Sequence, residues 1–214
     1  MGRVTAMAGA LLAGLVLAGC SVVGGKAAEE PAFRLIAEEG DFQIRAYPAL
    51  TVARTVVAGE DRGPAVREGF GRLFDYIRGA NTGQAEIAMT APVLTAPAGE
   101  TIAMTAPVLS APAGGGWETV FVLPDGMTPG TAPRPTDPAV EIVAIPPREV
   151  AVVTFSGVLG HEAITRERAR LEAWLAARGQ AHRDDWQAAG YNPPWTIPAY
   201  RRNEVIVSLV AAGG

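Results

Sequence analysis

The sequence predicts an α+β domain, a curved antiparallel sheet or distorted barrel that carries two main helices. Three observations lead there. Residues 42–59 (FQIRAYPALTVARTVVAG) and 140–157 (VEIVAIPPREVAVVTFSG) align without a gap at an offset of 98, with six identities in eighteen positions. Each segment reads as two strands around a proline-containing turn, followed by a helical pattern and then further strand-like runs. The apolar stripes of the two helices also fall on equivalent positions. The chain therefore uses one strand–strand–helix–strand unit twice.

The chain starts with an address. Residues 1–19 carry one charge, Arg3, ahead of an apolar run of Ala, Leu, Val and Gly. That run is shorter than the ~20 residues a bilayer span takes. A basic start, a short apolar core and small residues before a cut site describe a secretory signal. Leu17-Ala18-Gly19-Cys20 looks like a bacterial lipobox, in which Cys20, the single cysteine, carries lipid. A plain signal peptide with an incidental cysteine is the other reading. One cysteine leaves no intramolecular disulfide, although export would permit one. Residues 20–32 read as a tether. Ser21 stands where an aspartate would favour the inner membrane, so the expected location is the cell envelope, on the periplasmic face and at the outer membrane. Removing residues 1–19 leaves 17 basic against 22 acidic residues, a formal −5. That balance argues against nucleic acid as a partner, since phosphate binding needs a basic footprint. Residues 33–214, about 180 in all, are enough for a single domain with a proper core.

In the first helix Val66, Phe70, Leu73, Phe74 and Ile77 form one stripe, while Arg67, Arg72 and Asp75 fall largely elsewhere. Pro64 suits the first helical position and Gly79 the residue past the end. In the second helix the stripe is Ile164, Leu171, Trp174 and Leu175, closed by Gly179. Shifted by 98, Val66 meets Ile164, Leu73 meets Leu171 and Ile77 meets Leu175. The stripes part where Phe70 meets Arg168 and Phe74 meets Glu172. Strands are expected at 117–123 (WETVFVL), around Tyr191 and at 204–210 (EVIVSLV). Residues 124–138 hold five prolines and read as a crossover between halves at about 33–124 and 139–210.

Between the first helix and its last strand the chain repeats itself. IAMTAPVLTAPAG (87–99) recurs as IAMTAPVLSAPAG (102–114), with Thr95 changed to Ser110. Ile87, Met89 and Ala91 alternate with Ala88 and Thr90 as a strand would. A turn at Ala98-Gly99 would pair Met89 with Val108 and Val93 with Met104. Pro92 and Pro107 cannot donate to a ladder, so an edge or bulged pair is expected, or one copy loops out.

No catalytic motif stands out: there is no G-x-S-x-G, C-x-x-C, H-E-x-x-H or phosphate-binding glycine loop. His161, at the start of the second helix, and His182, in a charged HRDDW loop, lack metal-pair spacing. No carboxylates are paired by sequence as acid and base. The chain reads as a binding module rather than an enzyme. Phe70 and Phe74 sit i, i+4 on one helix face with Arg67 a turn before them, which suits either core packing or the floor of an apolar site. Arg201 and Arg202 point to opposite sides of the chain, so one can pair with Glu204 or a carboxylate inside and the other faces solvent.

IAMTAPV, together with the later YNPPW and RRNEV, resembles the SOUL heme-binding family over residues 33–210. The resemblance implies the helix-bearing curved sheet and a hydrophobic groove for heme or a related tetrapyrrole, held without covalent attachment and with its axial ligand open. In that family the groove has been placed on the helix matching the first one here, with an arginine and two large apolar residues, which are Arg67, Phe70 and Phe74 in this chain. Tyr191 and Trp195, held by the extended Pro193-Pro194, would form the opposing wall, with no histidine on the iron. Asp75 and Thr196 depart from the pattern, standing where family members have basic residues. The alternative is an envelope module of the same fold for another apolar small molecule or a protein partner.

The address makes a direct prediction. Protein taken from the native membrane fraction should show, by intact mass, loss of residues 1–19 and added acyl mass on Cys20. An unmodified Cys20 thiol there contradicts it.

Overall fold

A computed structural model describes residues 30–83, 85–98, 115–193 and 195–210. Its strands are β1 (Arg34–Glu39), β2 (Phe42–Tyr47), β3 (Leu50–Ala58), β4 (Val93–Ala98), β5 (Gly116–Val122), β6 (Val140–Ile145), β7 (Arg148–Phe155), β8 (His182–Gly190) and β9 (Asn203–Leu209). Helix α1 (Arg62–Ile77) follows β3, and α2 (His161–Ala177) follows β7. All nine strands join one curved antiparallel sheet in the order β1-β2-β7-β9-β8-β4-β5-β3-β6. The sheet is not closed, because β1 and β6 remain edges.

The duplication is visible in the register. β2 pairs with β7 and β3 with β6, so each unit lends its first strand to the other. Ile44 faces Ala151, and the equivalent pair, Ile142 and Ala53, face each other in the same way. Tyr47 faces Arg148 just as Ile145 faces Leu50. β4 and β8 then join the two units a third time, through Val93–Gly190, Leu94–Ala189 and Thr95–Ala188.

Alternation along the strands sends one set of side chains to each face. The inner face buries Leu50, Val52, Leu94, Val120, Val122, Val150, Val152 and Ile206 in one cluster. The outer face carries both helices. α1 covers Ala53, Phe121 and Val140 with Leu73, Tyr76 and Ile77. α2 covers Ala151, Val153, Val205 and Val207 with Ile164, Leu171 and Leu175. α1 lies close on β5 at Gly69, where a Cβ would stand 2.6 Å from Thr119 Oγ1. Each helix ends before a glycine of positive φ, Gly79 at 110° and Gly179 at 64°, the left-handed step that stops a helix.

Three expectations change. Pro64 is the third residue of α1, since the helix begins at Arg62. HRDDW is the start of β8, where the register shifts between His182 and Trp186 and buried Asp185 accepts the Ser208 backbone N–H at 3.1 Å. In the first repeat copy the strand begins only at Val93. Residues 87–91 do not alternate: Ile87, Thr90 and Ala91 are buried while Ala88 and Met89 are exposed, and Thr90 donates its hydroxyl to the Val122 carbonyl. The second copy, and with it the Met89–Val108 and Val93–Met104 pairs, lies outside the described residues.

Leu73 and Leu171 are both fully buried at equivalent positions. Leu73→Ala and Leu171→Ala are each expected to cost ~2–5 kcal/mol in denaturant titrations. A loss confined to one helix would mean that the two units do not share the structural load.

Candidate functional site

α1 is the place where the two halves differ in character. Phe70 and Phe74 stack on its half-buried flank, centroids 5.8 Å apart and planes 16° from parallel. Phe70 also meets Phe121 of β5 edge-on at 5.2 Å. Val93, Met127 and Ile142 are half-buried in the same cluster. The equivalent positions of α2 hold an ion pair instead, Arg168 Nε to Glu172 Oε1 at 2.6 Å, with Arg168 also reaching Asp184. Phe70 and Phe74 are both half-buried and pack against the core cluster beneath α1, and on α2 the stacked pair is Trp174 with Phe42 of β2.

Cations stand at both ends of that pair. Arg67 is exposed, one turn before Phe70. Arg78 lies over the Phe74 ring at 5.5 Å. Arg78 is not among the residues that the sequence pattern singles out, although its i+4 spacing from Phe74 is a signal for it. Asp75, between them, is exposed. At the start of α1, Arg62 donates to the Leu159 carbonyl at 3.1 Å and to Thr95 Oγ1 at 2.9 Å, tying the helix to the segment that leads into α2. Burial lowers the Arg62 pKa.

The structure separates the two aromatics expected to face α1. Tyr191 turns inward and belongs to the inner cluster, 8% exposed. Its hydroxyl donates to Glu204 Oε2, and burial, with Glu204 beside it, holds its pKa well above the usual tyrosine range. Trp195 is 65% exposed and lies outside the Phe70–Phe74 cluster. Strand pairing links its loop to α1: Phe121 faces Val93, and Val93 faces Gly190, the residue before Tyr191. Two strand spacings, roughly 10 Å, therefore separate the start of that loop from the strand beneath Phe70. Thr196 is buried at 1% exposure, so it supplies nothing to a rim. His161 is exposed at the first turn of α2, and His182 opens β8, where its Nδ1 lies 2.8 Å from the Arg183 carbonyl. Neither belongs to the Phe70–Phe74 cluster.

Tyr191 points into a buried charge network. Arg45 of β2 and Glu204 of β9 form a two-pronged pair at 3.0 and 2.9 Å, 1% and 0% exposed. Arg202 donates to Glu204 Oε1 from Nη2 at 2.7 Å and, through Nη1, to both carboxylate oxygens of Glu30 at 3.0 Å. The Phe33 ring packs 4.5 Å from the Arg45 guanidinium. Burial pushes the Glu204 carboxyl up, but the bonds from Arg45 and Tyr191 and the charge of Arg202 outweigh it and hold the pKa below its usual value. Of the two consecutive arginines, Arg202 is the one that pairs inside, while Arg201 Nε donates to the Thr196 carbonyl.

A curved antiparallel sheet with two helices on its outer face recurs among solved structures. The C-terminal domain of EcmrR superposes with a TM-score of 0.54 at 12% identity, covering 83% of this chain and 98% of that one. An uncharacterized conserved protein from Listeria innocua gives 0.58 at 12% identity, covering 81% and 94%. At such identities the likeness is one of fold. The sequence carries more: the SOUL heme-binding protein family matches residues 28–208. Heme-binding protein 1 of Xenopus laevis is 28% identical over 167 residues, 77% of this chain and 81% of its own. The chain belongs to the SOUL heme-binding protein family.

The buried pair sets a pH test. Glu204→Gln should cost ~3–5 kcal/mol at neutral pH, as removing one partner of a buried pair does. A carboxyl whose folded pKa is depressed contributes stability above its ordinary value of 4.5 and loses it as pH falls through the folded pKa. Urea midpoints of wild type and variant should therefore converge in acid, and a constant gap from neutral pH down through that range contradicts the assignment.

Proposed function

We propose that this chain is a non-catalytic binding protein that takes heme or a related tetrapyrrole against the outer flank of α1. The observation that carries the reading is the stacked Phe70–Phe74 pair, placed where the twin helix has the Arg168–Glu172 ion pair. A tetrapyrrole needs an apolar floor and cations for its carboxylates, and the residues present fit. Phe70 and Phe74 supply the floor, with Arg67 at one end and Arg78 at the other. Tyr191, buried and bonded to Glu204, and Trp195, on the loop after it, stand apart from this floor. A bound heme would supply an iron centre for ligand or electron chemistry. The family membership and the name of the Xenopus laevis relative point to the same ligand class.

In the same proposal residues 1–19 are removed, Cys20 carries lipid, residues 20–32 form the tether and residues 33–214 the single binding domain. That places the protein at the periplasmic face of the envelope, on the outer membrane. A second reading, another apolar small molecule or a protein partner in the same groove, draws support from exposed Asp75 and buried Thr196, which thin out the cations available to propionates.

Titration of the protein with hemin, and with an iron-free porphyrin, reads the Soret band for both. Arg67→Ala is expected to weaken hemin binding by ~1–3 kcal/mol, the range for a charge-assisted hydrogen bond. His161→Ala and His182→Ala should leave the Soret maximum in place. Loss of the spectrum in a histidine variant, with Arg67→Ala silent, would overturn the site, and binding of neither porphyrin would favour the second reading.

A further inference from the structure

The loop after β8 and the link between β7 and α2 meet at one edge of the molecule. Gly157 N–H donates to the Pro198 carbonyl at 2.8 Å, and Asn203 Nδ2 to the Gly157 carbonyl at 3.0 Å. Around this junction Val158, Trp195, Ile197 and Tyr200 are 61, 65, 45 and 55% exposed. The loop is held by its own bonds: Thr196 N–H to the Pro193 carbonyl, Tyr200 N–H to the Ile197 carbonyl and Arg201 Nε to the Thr196 carbonyl. Neither 156–160 nor 193–201 contains an acidic residue.

Single exposed apolar side chains are ordinary on a soluble surface. Four gathered on one braced tip, with a tryptophan and a tyrosine among them, have the composition of a membrane-interface anchor, apolar in body and polar at the edge. The chain also enters the fold at this place. Glu30 is held by Arg202, directly after the tip loop. Glu30 lies ten positions after Cys20, a reach of at most ~36 Å fully extended. A lipid on Cys20 would keep this end of the molecule, rather than the α2–β8 corner, within range of the bilayer.

We propose that Val158, Trp195, Ile197 and Tyr200 form a docking tip that lies in the headgroup layer of a lipid bilayer. The proposal rests on the lipidated Cys20 for its tether. Docking orients the domain and adds apolar contact to what a lipid anchor alone provides.

The test uses the full mature chain extracted from membranes and reconstituted into phosphatidylethanolamine–phosphatidylglycerol vesicles with brominated acyl chains, with intact mass reporting the state of Cys20. The expected result is quenching of tryptophan fluorescence that is lost in Trp195→Phe and reduced in the Ile197→Ser/Tyr200→Ser double variant, with thermal melting of Trp195→Phe unchanged. An acylated chain whose quenching is the same in Trp195→Phe overturns the docking tip and leaves the anchor standing. Trp195-dependent quenching in a chain without acyl mass supports the tip and removes the anchor. Trp195 shielded equally without vesicles, in a chain that sediments as a dimer, gives the face to a second copy and overturns the proposal.

Discussion

The ion pair between Arg45 and Glu204 is the constraint around which the inner face is arranged. Taking two charges out of water costs several kcal/mol per ion, and the pair recovers it only with good geometry and further hydrogen bonds. Both conditions hold. The guanidinium meets the carboxylate with two parallel bonds, and Tyr191 and Arg202 fill its remaining acceptor sites. Arg45 lies on β2 and Glu204 on β9, with β7 between them. To touch across that strand the sheet must curve toward the inner face, so the pair and the curvature need each other. Through Arg202 the network also holds Glu30, and through Tyr191 it fixes the base of the Trp195 loop.

Much of this was legible in the sequence, for a physical reason. A gapless offset of 98 preserves strand parity, so equivalent residues must face the same way. The reciprocal registers of β2–β7 and β3–β6 follow once the two units share one sheet. Helix stripes were legible because a helix is what brings apolar residues at the i, i+3, i+4 spacing onto one buried face. The network was only half legible. RRNEV signalled that an arginine pairs with Glu204, but not that the principal partner is Arg45, 159 positions away. A hint was present, since Arg45 is the one basic residue of FQIRAY while the equivalent position of the second unit is Val143.

Where sequence reading failed, a local bond had overridden a pattern. HRDDW looks like a loop by composition, yet Asp185 caps a β9 amide and the strand runs through it. IAMTA looks like a strand by alternation, yet the Thr90 hydroxyl spends itself on Val122 and the ladder begins two residues after Ala91. Tyr191 was expected on the wall of the groove because prolines follow it. Period-2 geometry says that neighbours point opposite ways but not which of them points inward, and the buried Glu204 decides that.

Function, on this view, turns on asymmetry within a symmetric scaffold. Both helices bury the same leucine against the same strand layer. On α1 both rings of the stacked pair, Phe70 and Phe74, come from the helix itself, whereas Trp174 of α2 stacks on Phe42 of β2 between Arg170 and Arg178. The direct measurement is amide chemical-shift mapping as an iron-free porphyrin is added to the isotope-labelled protein. The largest shifts are expected at residues 67–78, along α1 and its C-cap, and at Val93 and Phe121. Shifts centred on α2, or on the strands of the inner cluster with α1 silent, would contradict a groove on α1.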